Sequence, residues 1–333
     1  MQRVVTFGEI MLRLSPPGWG RFVQADAFDV HYGGAEANVA VALAGFGIDV
    51  DFVTKVPEHE IGQAAVNSLR RYGVGTGFVL RGGERLGIYF LEHGASQRPA
   101  KVIYDRAHSA VATAKPEEFD WREILRGAAW FHFSGITPAL GEGPAAAVLH
   151  AVQAAKGLGV KVSADLNYRS KLWSAAQAGE TMSRLLPYVD VLITNEHHAQ
   201  QVFGIRAEGA GSAGCKAVAE HLAERFGLRQ VAITARESLS ASVHSFSALL
   251  YTGGELYKSR RYTIQMVERV GGGDAFAAGL IYALLTGMAG EEAVEFAAAA
   301  ACLKHTIPGD FNLASVHEVQ ALAAGEQFGK AQR

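Results

Sequence analysis

Short runs of β-branched and aromatic residues recur along the whole chain, each followed by a longer alanine-rich stretch. The runs lie at Arg3–Phe7, 51–56, 129–133, 160–165, 190–194 and 230–234. Stretches with helical periodicity lie between them at 35–46, 60–72, 143–158, 175–186 and 215–226. Near-continuous apolar strands need cover on both faces. The alternation therefore points to a mostly parallel sheet with helices packed on each side. The length, 333 residues, suits two domains of ~150 residues or one large α/β domain. With 49% hydrophobic and 19% charged residues the composition is that of a globular protein. A chain of this size buries roughly three-quarters of its unfolded surface, so neither metals nor disulfides are needed to hold it together. No internal repeat or low-complexity linker interrupts it.

Two segments break the alternation. Residues 15–32 follow the first strand without a helical period. Residues 87–93 and 101–106 read as a hairpin around a turn at 94–99, either a surface hairpin or a lid over a site in the main sheet. In open parallel sheets ligands gather beyond the carboxyl ends of the strands. The residues there are polar: Gly8-Glu9, Ser134-Gly135, the string from Asp165 to Arg169, Thr194-Asn195-Glu196 and Thr234-Ala235-Arg236. Together they would line one crevice, although any one of them alone could simply cap the next helix.

The sharpest local signal is Gly271-Gly272-Gly273-Asp274, placed between a strand-like run at 262–270 and an apolar helix at 275–285. Consecutive glycines at a helix start let main-chain N–H groups converge on an anion, and the helix dipole favours negative charge there. A carboxylate at that point repels phosphate. It makes sense as a base taking a proton from an attacking hydroxyl, and the competing reading is an N-cap. A second glycine pair, Gly33-Gly34, precedes the helix carrying Asn38, an amide that reads sugar hydroxyls or bonds the backbone. Tyr104 and Arg106 are two apart and share one face of their strand. With Tyr89 on the partner strand they suit a ligand bearing a carboxylate and hydroxyl or keto oxygens, or else are solvated lid residues.

Other classes fit less well. The net charge of −2 gives no reason to expect nucleic acid or an anionic membrane as partner. The run 209–214 matches G-x-G-x-x-G but follows no strand, so it lacks the context of a dinucleotide fingerprint. His197-His198 point to different sides of a helix, and the two cysteines, Cys215 and Cys302, form no C-x-x-C pair, so a zinc site is not expected. A bridge between the cysteines stays open on sequence alone. The opening MQRVVTFGEI shows no export signal and no apolar run reaches 18 residues, so the expected location is cytoplasmic.

Taken with their flanking strings, these motifs resemble the ribokinase-like (pfkB-type) carbohydrate kinases over nearly the whole length. The glycine pair with Asn38 resembles the family's N-terminal signature, and 271–279 resembles its C-terminal G-A-G-D signature. The strings 6–15, 132–138, 165–169 with Leu172-Trp173, and 304–310 resemble the branch acting on 2-keto-3-deoxygluconate.

The resemblance implies a three-layer core (1–12, 33–85 and 112–324), a β lid (13–32 and 86–111) and a loose tail (325–333). It implies ATP and Mg²⁺ as cosubstrates and transfer of phosphate to the terminal hydroxyl of the sugar acid, giving the 6-phosphate. Asp274 would be the base, and the amides of Gly271, Gly272 and Gly273 would stabilise the transferring group. Gly33, Gly34, Asn38, Tyr89, Tyr104, Arg106, Arg169 and Asp310 would hold the sugar, with Arg106 and Arg169 on its carboxylate. Asn195, Thr234 and Arg236 would lie along the nucleotide, beside Gly271 and Gly273. Relatives pair through their lids, which implies a homo-oligomer with Ile88, Phe90 and Ile103 on an exposed face. The alternatives are a kinase for fructose or a deoxy-keto-gluconate isomer, and a non-catalytic sugar-binding regulator. Three residues depart from the family pattern: Gly272 replaces alanine, His198 replaces the acid of N-x-x-E with Glu196 nearby, and Glu268 replaces aspartate. Which acid positions Mg²⁺, and whether a monovalent cation activates, therefore do not follow from the resemblance.

Overall fold

The computed structural model describes residues 2–206 and 212–325. Much of the glycine run at 209–214, and all of the expected tail beyond Gly325, lie outside the described residues. Among the described residues fourteen strands form in chain order: β1 Arg3–Phe7, β2 Met11–Ser15, β3 Asp29–Gly33, β4 Asp49–Val56, β5 Val79–Arg81, β6 Gly87–Glu92, β7 Lys101–Asp105, β8 Ala128–Ser134, β9 Lys161–Asp165, β10 Val191–Thr194, β11 Gln230–Ser238, β12 Val243–Thr252, β13 Glu255–Lys258 and β14 Tyr262–Gln265.

Ten strands make the main sheet, in the order β13-β12-β11-β10-β9-β8-β1-β4-β5, with β14 also paired to β12. From β5 to β11 every pairing is parallel. Alternate residues of β1 feed opposite faces: Val4 enters one core, and Val5 and Phe7 the other. Helices Ala35–Gly45, Gly272–Leu285 and Gly290–Lys304 cover the first face, and Glu142–Leu158, Ala175–Leu185 and Ser212–Phe226 the second. The chain steps from β1 to β4 and β5 on one side, then returns to β8 on the other. In open α/β sheets such a reversal marks the carboxyl ends of the strands, here β1 and β8, as the place where ligands bind.

The remaining four strands form a separate sheet, β3-β2-β6-β7, with β2 parallel to β6 and the other pairs antiparallel. Met11, Arg13 and Ser15 point inward from β2. Of the residues expected on an exposed apolar face, Ile103 is exposed. Ile88 and Phe90 are half-buried, because Phe22 and Phe28 pack edge-on against Phe90.

Two expectations need correcting, and one helix carries no sequence signal. The strand expected at 230–234 runs on to Ser238, because antiparallel β12 supplies partners past the end of β10. Thr234 and Arg236 therefore sit within a strand, not beyond one. The run 262–270 is strand only to Gln265, which pairs with Val243, the first residue of β12; Glu268 then accepts from the amides of Arg269 (2.9 Å) and Val270 (3.1 Å) and turns the chain into the glycine loop. Helix Gly290–Lys304 showed no amphipathic period, because it is buried nearly all round, with alanines 297 and 300 packed on Gly279.

Candidate active site

Gly271 caps helix Gly272–Leu285 at φ +85°, in the left-handed region that favours glycine. A β-carbon on it would also strike the Asp310 carbonyl, and one on Gly272 would overlap the His305 ring. Gly273 is exposed and borders open space. No side chain caps this helix, so the N–H groups of its first turn keep their donor capacity for an anion.

Asp274 is the third residue of the helix, not its N-cap, so its carboxylate does not satisfy the helix backbone. Instead it accepts from Asn38 Nδ2 at 2.7 Å. Asn38 also accepts from the Gly34 amide at 3.3 Å, the backbone bond that one reading of this amide expects. Burial pushes Asp274 up to about 6; the Asn38 hydrogen bond and the Arg169 charge oppose it, and Asp310 adds to it. Asp165, at the end of β9, is pushed up to about 7, first by burial and then by the Asp274 charge. Asn167, at φ +33°, donates its amide to Asp165 at 3.1 Å. Arg169 is exposed nearby.

The second sheet meets this centre through Asp310. Arg13 Nη1 donates to Asp310 at 2.7 Å, its Nη2 donates to Glu268 at 2.6 Å, and its Nε donates to Ser15 at 2.9 Å. All three charged side chains are almost fully buried. The Tyr89 hydroxyl donates to the other Asp310 oxygen. Gly33 lies so close to Asp310 that any side chain would collide with it, and Gly34 lies equally close to the Glu9 carbonyl. Arg106 is buried, paired with Glu9 through Nε at 2.8 Å and through Nη2, while Ser109 donates to the other Glu9 oxygen at 2.5 Å. Its guanidinium lies 5.5 Å from the centroid of Tyr104, which is 45% exposed. Tyr104 and Arg106 thus stay together, but Arg106 already holds a carboxylate of the protein.

On the other flank, Asn195 is the N-cap of helix Glu196–Phe203. Its Oδ1 accepts from the His198 amide at 2.8 Å, and its Nδ2 lies 3.1 Å from His198 Nδ1. The acid position of N-x-x-E is thus a half-buried imidazole, pushed down to about 4 by burial and by Arg169. Glu196 accepts from Cys215 Sγ at 3.1 Å. Thr234 donates to the Thr194 carbonyl at 3.3 Å. Arg236 reaches back to the glycine loop, its Nη2 3.1 Å from His305 Nε2. Among the described residues no cluster of three His, Cys, Asp or Glu side chains is arranged to hold a metal, and both cysteines are free.

A strand-order reversal, a glycine-capped helix start and a carboxylate at the third helical residue held by one side-chain amide thus lie together at one edge of the main sheet. Residues 1–313 match the profile of the pfkB family carbohydrate kinases. The chain belongs to the pfkB family of carbohydrate kinases. This kinase is 53% identical to a 2-dehydro-3-deoxygluconokinase from Thermotoga maritima, whose crystal structure superposes with a TM-score of 0.96 over 97% of this chain and 98% of that one. It is 36% identical over 326 residues to a 2-dehydro-3-deoxygalactonokinase from Haloferax volcanii, covering 98% of each chain. It is 26% identical to a 2-dehydro-3-deoxygluconokinase from Bacillus subtilis, covering 92% of this chain and 91% of that one. No helix among the described residues is long and apolar enough to cross a membrane.

Several residues that shape the kinase's site carried no role from sequence: Arg13, Glu36, Lys304 and His305, while Glu9 and Asp165 were read only as polar strand ends lining the crevice. Arg13 did carry a signal, a charge at an inward position of an otherwise apolar strand. Lys304 is fully buried, donates to the carbonyls of Ile307 (3.0 Å) and Gly309 (2.8 Å), and shapes the loop that delivers Asp310. Burial pushes it down to about 8, against the charges of Glu268 and Asp310. Glu36 accepts from the Ser134 amide (2.8 Å), the Ser134 hydroxyl (2.7 Å) and Thr137 (2.7 Å), joining the ends of β8 and the first helix.

Proposed function

We propose that this kinase transfers the γ-phosphoryl group of ATP to the terminal hydroxyl of 2-keto-3-deoxygluconate (2-dehydro-3-deoxygluconate), giving the 6-phosphate. The observation that carries the reading is Asp274: a carboxylate held by Asn38, not consumed by the helix, beside main-chain donors that no side chain covers. The hydroxyl proton passes to Asp274. The sugar oxygen forms a bond to the γ-phosphorus, the bond from that phosphorus to the β,γ-bridging oxygen breaks, and ADP leaves with the electron pair. The amides of Gly271, Gly272 and Gly273 receive the charge on the moving group. A carboxyl near 6 is mostly ionised at neutral pH yet more basic than an ordinary carboxylate, as a general base requires.

Gly33, Gly34, Asn38, Tyr89, Tyr104, Arg106, Arg169 and Asp310 would frame the sugar. The substrate carboxylate falls to Arg106 and Arg169, with Arg106 shared with Glu9. Asn195, Thr234 and Arg236 would flank the nucleotide. Mg²⁺ keeps most of its waters and takes one or two carboxylates beside substrate phosphates, so the lack of a three-ligand cluster among the described residues is compatible with it. It would neutralise phosphate charge. Glu268 already carries a cation, Arg13. The β3-β2-β6-β7 sheet would act as the lid, excluding water from the transfer. Val30 and Ile103, apolar and more than half exposed on that sheet, support pairing with a second copy, which light scattering would size.

The second reading is the C4 epimer, 2-keto-3-deoxygalactonate, favoured by the 36% identity to the Haloferax volcanii enzyme. Purified protein offered both epimers and fructose, with ADP release as readout, decides among them. The proposal expects the gluconate derivative to give the highest kcat/KM, and preference for either other sugar would overturn it.

A further inference from the structure

Arg236 and His305 meet behind the glycine loop. The Arg236 Nη2 would lie 3.2 Å from a β-carbon on Gly272, and the His305 ring fills the space that such a carbon needs. His305 is buried, and its Nδ1 lies 2.8 Å from the Glu268 carbonyl, which can only accept. Nδ1 therefore carries the hydrogen. Nε2 is left as a lone pair, and it accepts from Arg236. Burial, then the Arg236 charge, pushes the imidazole down to about 3, consistent with this neutral tautomer.

Arg236 itself is reachable by solvent but surrounded by protein, as a group inside a crevice is. Desolvation, then the charges of Arg269 and Arg169, push it down to about 10. Among the described residues none of these three arginines forms a salt bridge. With Arg169 assigned to the sugar carboxylate, Arg236 and Arg269 remain as two unpaired cations beside a helix start with free amides, and together they call for an anion bearing several charges.

We propose that Arg236 contacts the terminal phosphates of the nucleotide and that His305 is a positioning residue fixing it there, an arrangement that requires Gly272 to lack a side chain. The departure of Gly272 from the family's alanine is thereby explained: the β-carbon was exchanged for an imidazole that orients a guanidinium. This rests on the kinase reading of the glycine loop.

The test is calorimetric titration of the full chain with AMP-PNP and Mg²⁺, and with AMP, across wild type, Arg236→Ala, His305→Ala, Gly272→Ala and each of the last two combined with Arg236→Ala. Arg236→Ala should weaken AMP-PNP by about 10–150-fold, the size of a hydrogen bond to a charged group, and change AMP little. His305→Ala and Gly272→Ala should each weaken AMP-PNP at least about threefold, within the coupling range of contacting residues, and have no further effect once Arg236 is gone. Gly272→Ala acts on the contact without removing a buried polar group, so it carries the test if His305→Ala does not fold. Equal losses for AMP and AMP-PNP would overturn the phosphate contact. Effects of His305→Ala or Gly272→Ala that multiply with that of Arg236→Ala would overturn the positioning role. A wild type that binds AMP-PNP but phosphorylates no sugar acid would defeat the substrate reading and leave this inference standing.

Discussion

The glycine loop and the inner face of the β3-β2-β6-β7 sheet handle charge in opposite ways. The loop presents main-chain amides with no side chain upon them, and its carboxylate holds only an amide. The sheet presents side chains that already have partners: Arg13 with Glu268 and Asp310, Tyr89 with Asp310, and Arg106 with Glu9, to which Ser109 also donates. A phosphoryl group can therefore be received by donors that are in place and need no rearrangement. A sugar acid entering beneath the sheet must share or exchange contacts. Preorganisation of that kind favours the transition state, and exchange of partners favours discrimination between substrates.

The contrast breaks most directly at Asp274. A positioned base contributes ~10²–10⁴-fold, so Asp274→Asn should lower kcat by at least about 100-fold while calorimetry shows the sugar still bound. Near-normal turnover would remove the base. On the sheet side, Arg13→Leu leaves Glu268 and Asp310 as buried charges without their cation. The expected cost is about 3–5 kcal/mol in denaturant unfolding. A loss below about 1 kcal/mol would show that the network is not the tie between the two sheets.

Arg106→Ala separates recognition from stability when two ligands are compared on the same variant. The keto-acid should bind about 10–150-fold more weakly, and a neutral ketose such as fructose far less so. Equal losses would argue that Arg106 serves only Glu9. The smallest effect is in the pH profile. Asp274, raised to about 6, must be ionised to act, so kcat/KM should fall tenfold per pH unit below that value and level off above it. Asp165, near 7, feels the Asp274 charge, so the observed limb belongs to the pair. Asp165→Asn removes a negative neighbour and should move the limb to lower pH; an unmoved limb would show that the two do not couple.

The same contrast governs what could be read from the sequence. Gly271 to Asp274 are contiguous, so their geometry follows from local rules for helix starts, and the alternation of strands and helices gave the parallel sheet by the same local logic. The partners of Arg13 lie 255 and 297 residues away, and no periodicity encodes such pairings. Arg106 reads as a free cation until the fold brings Glu9 to it. The helix Gly290–Lys304 was missed for a related reason: burial on all sides erases the amphipathic stripe. His305 stands out in no local pattern, because its place depends on the side chain absent from Gly272.

One structure would test the centre of this account: the kinase crystallised with 2-keto-3-deoxygluconate, AMP-PNP and Mg²⁺. The account predicts an Asp274 oxygen within about 2.6–3.2 Å of the sugar's terminal hydroxyl, with the γ-phosphate seated on the amides of 271–273. A terminal hydroxyl out of reach of Asp274, or a phosphate chain held away from those amides, would contradict it.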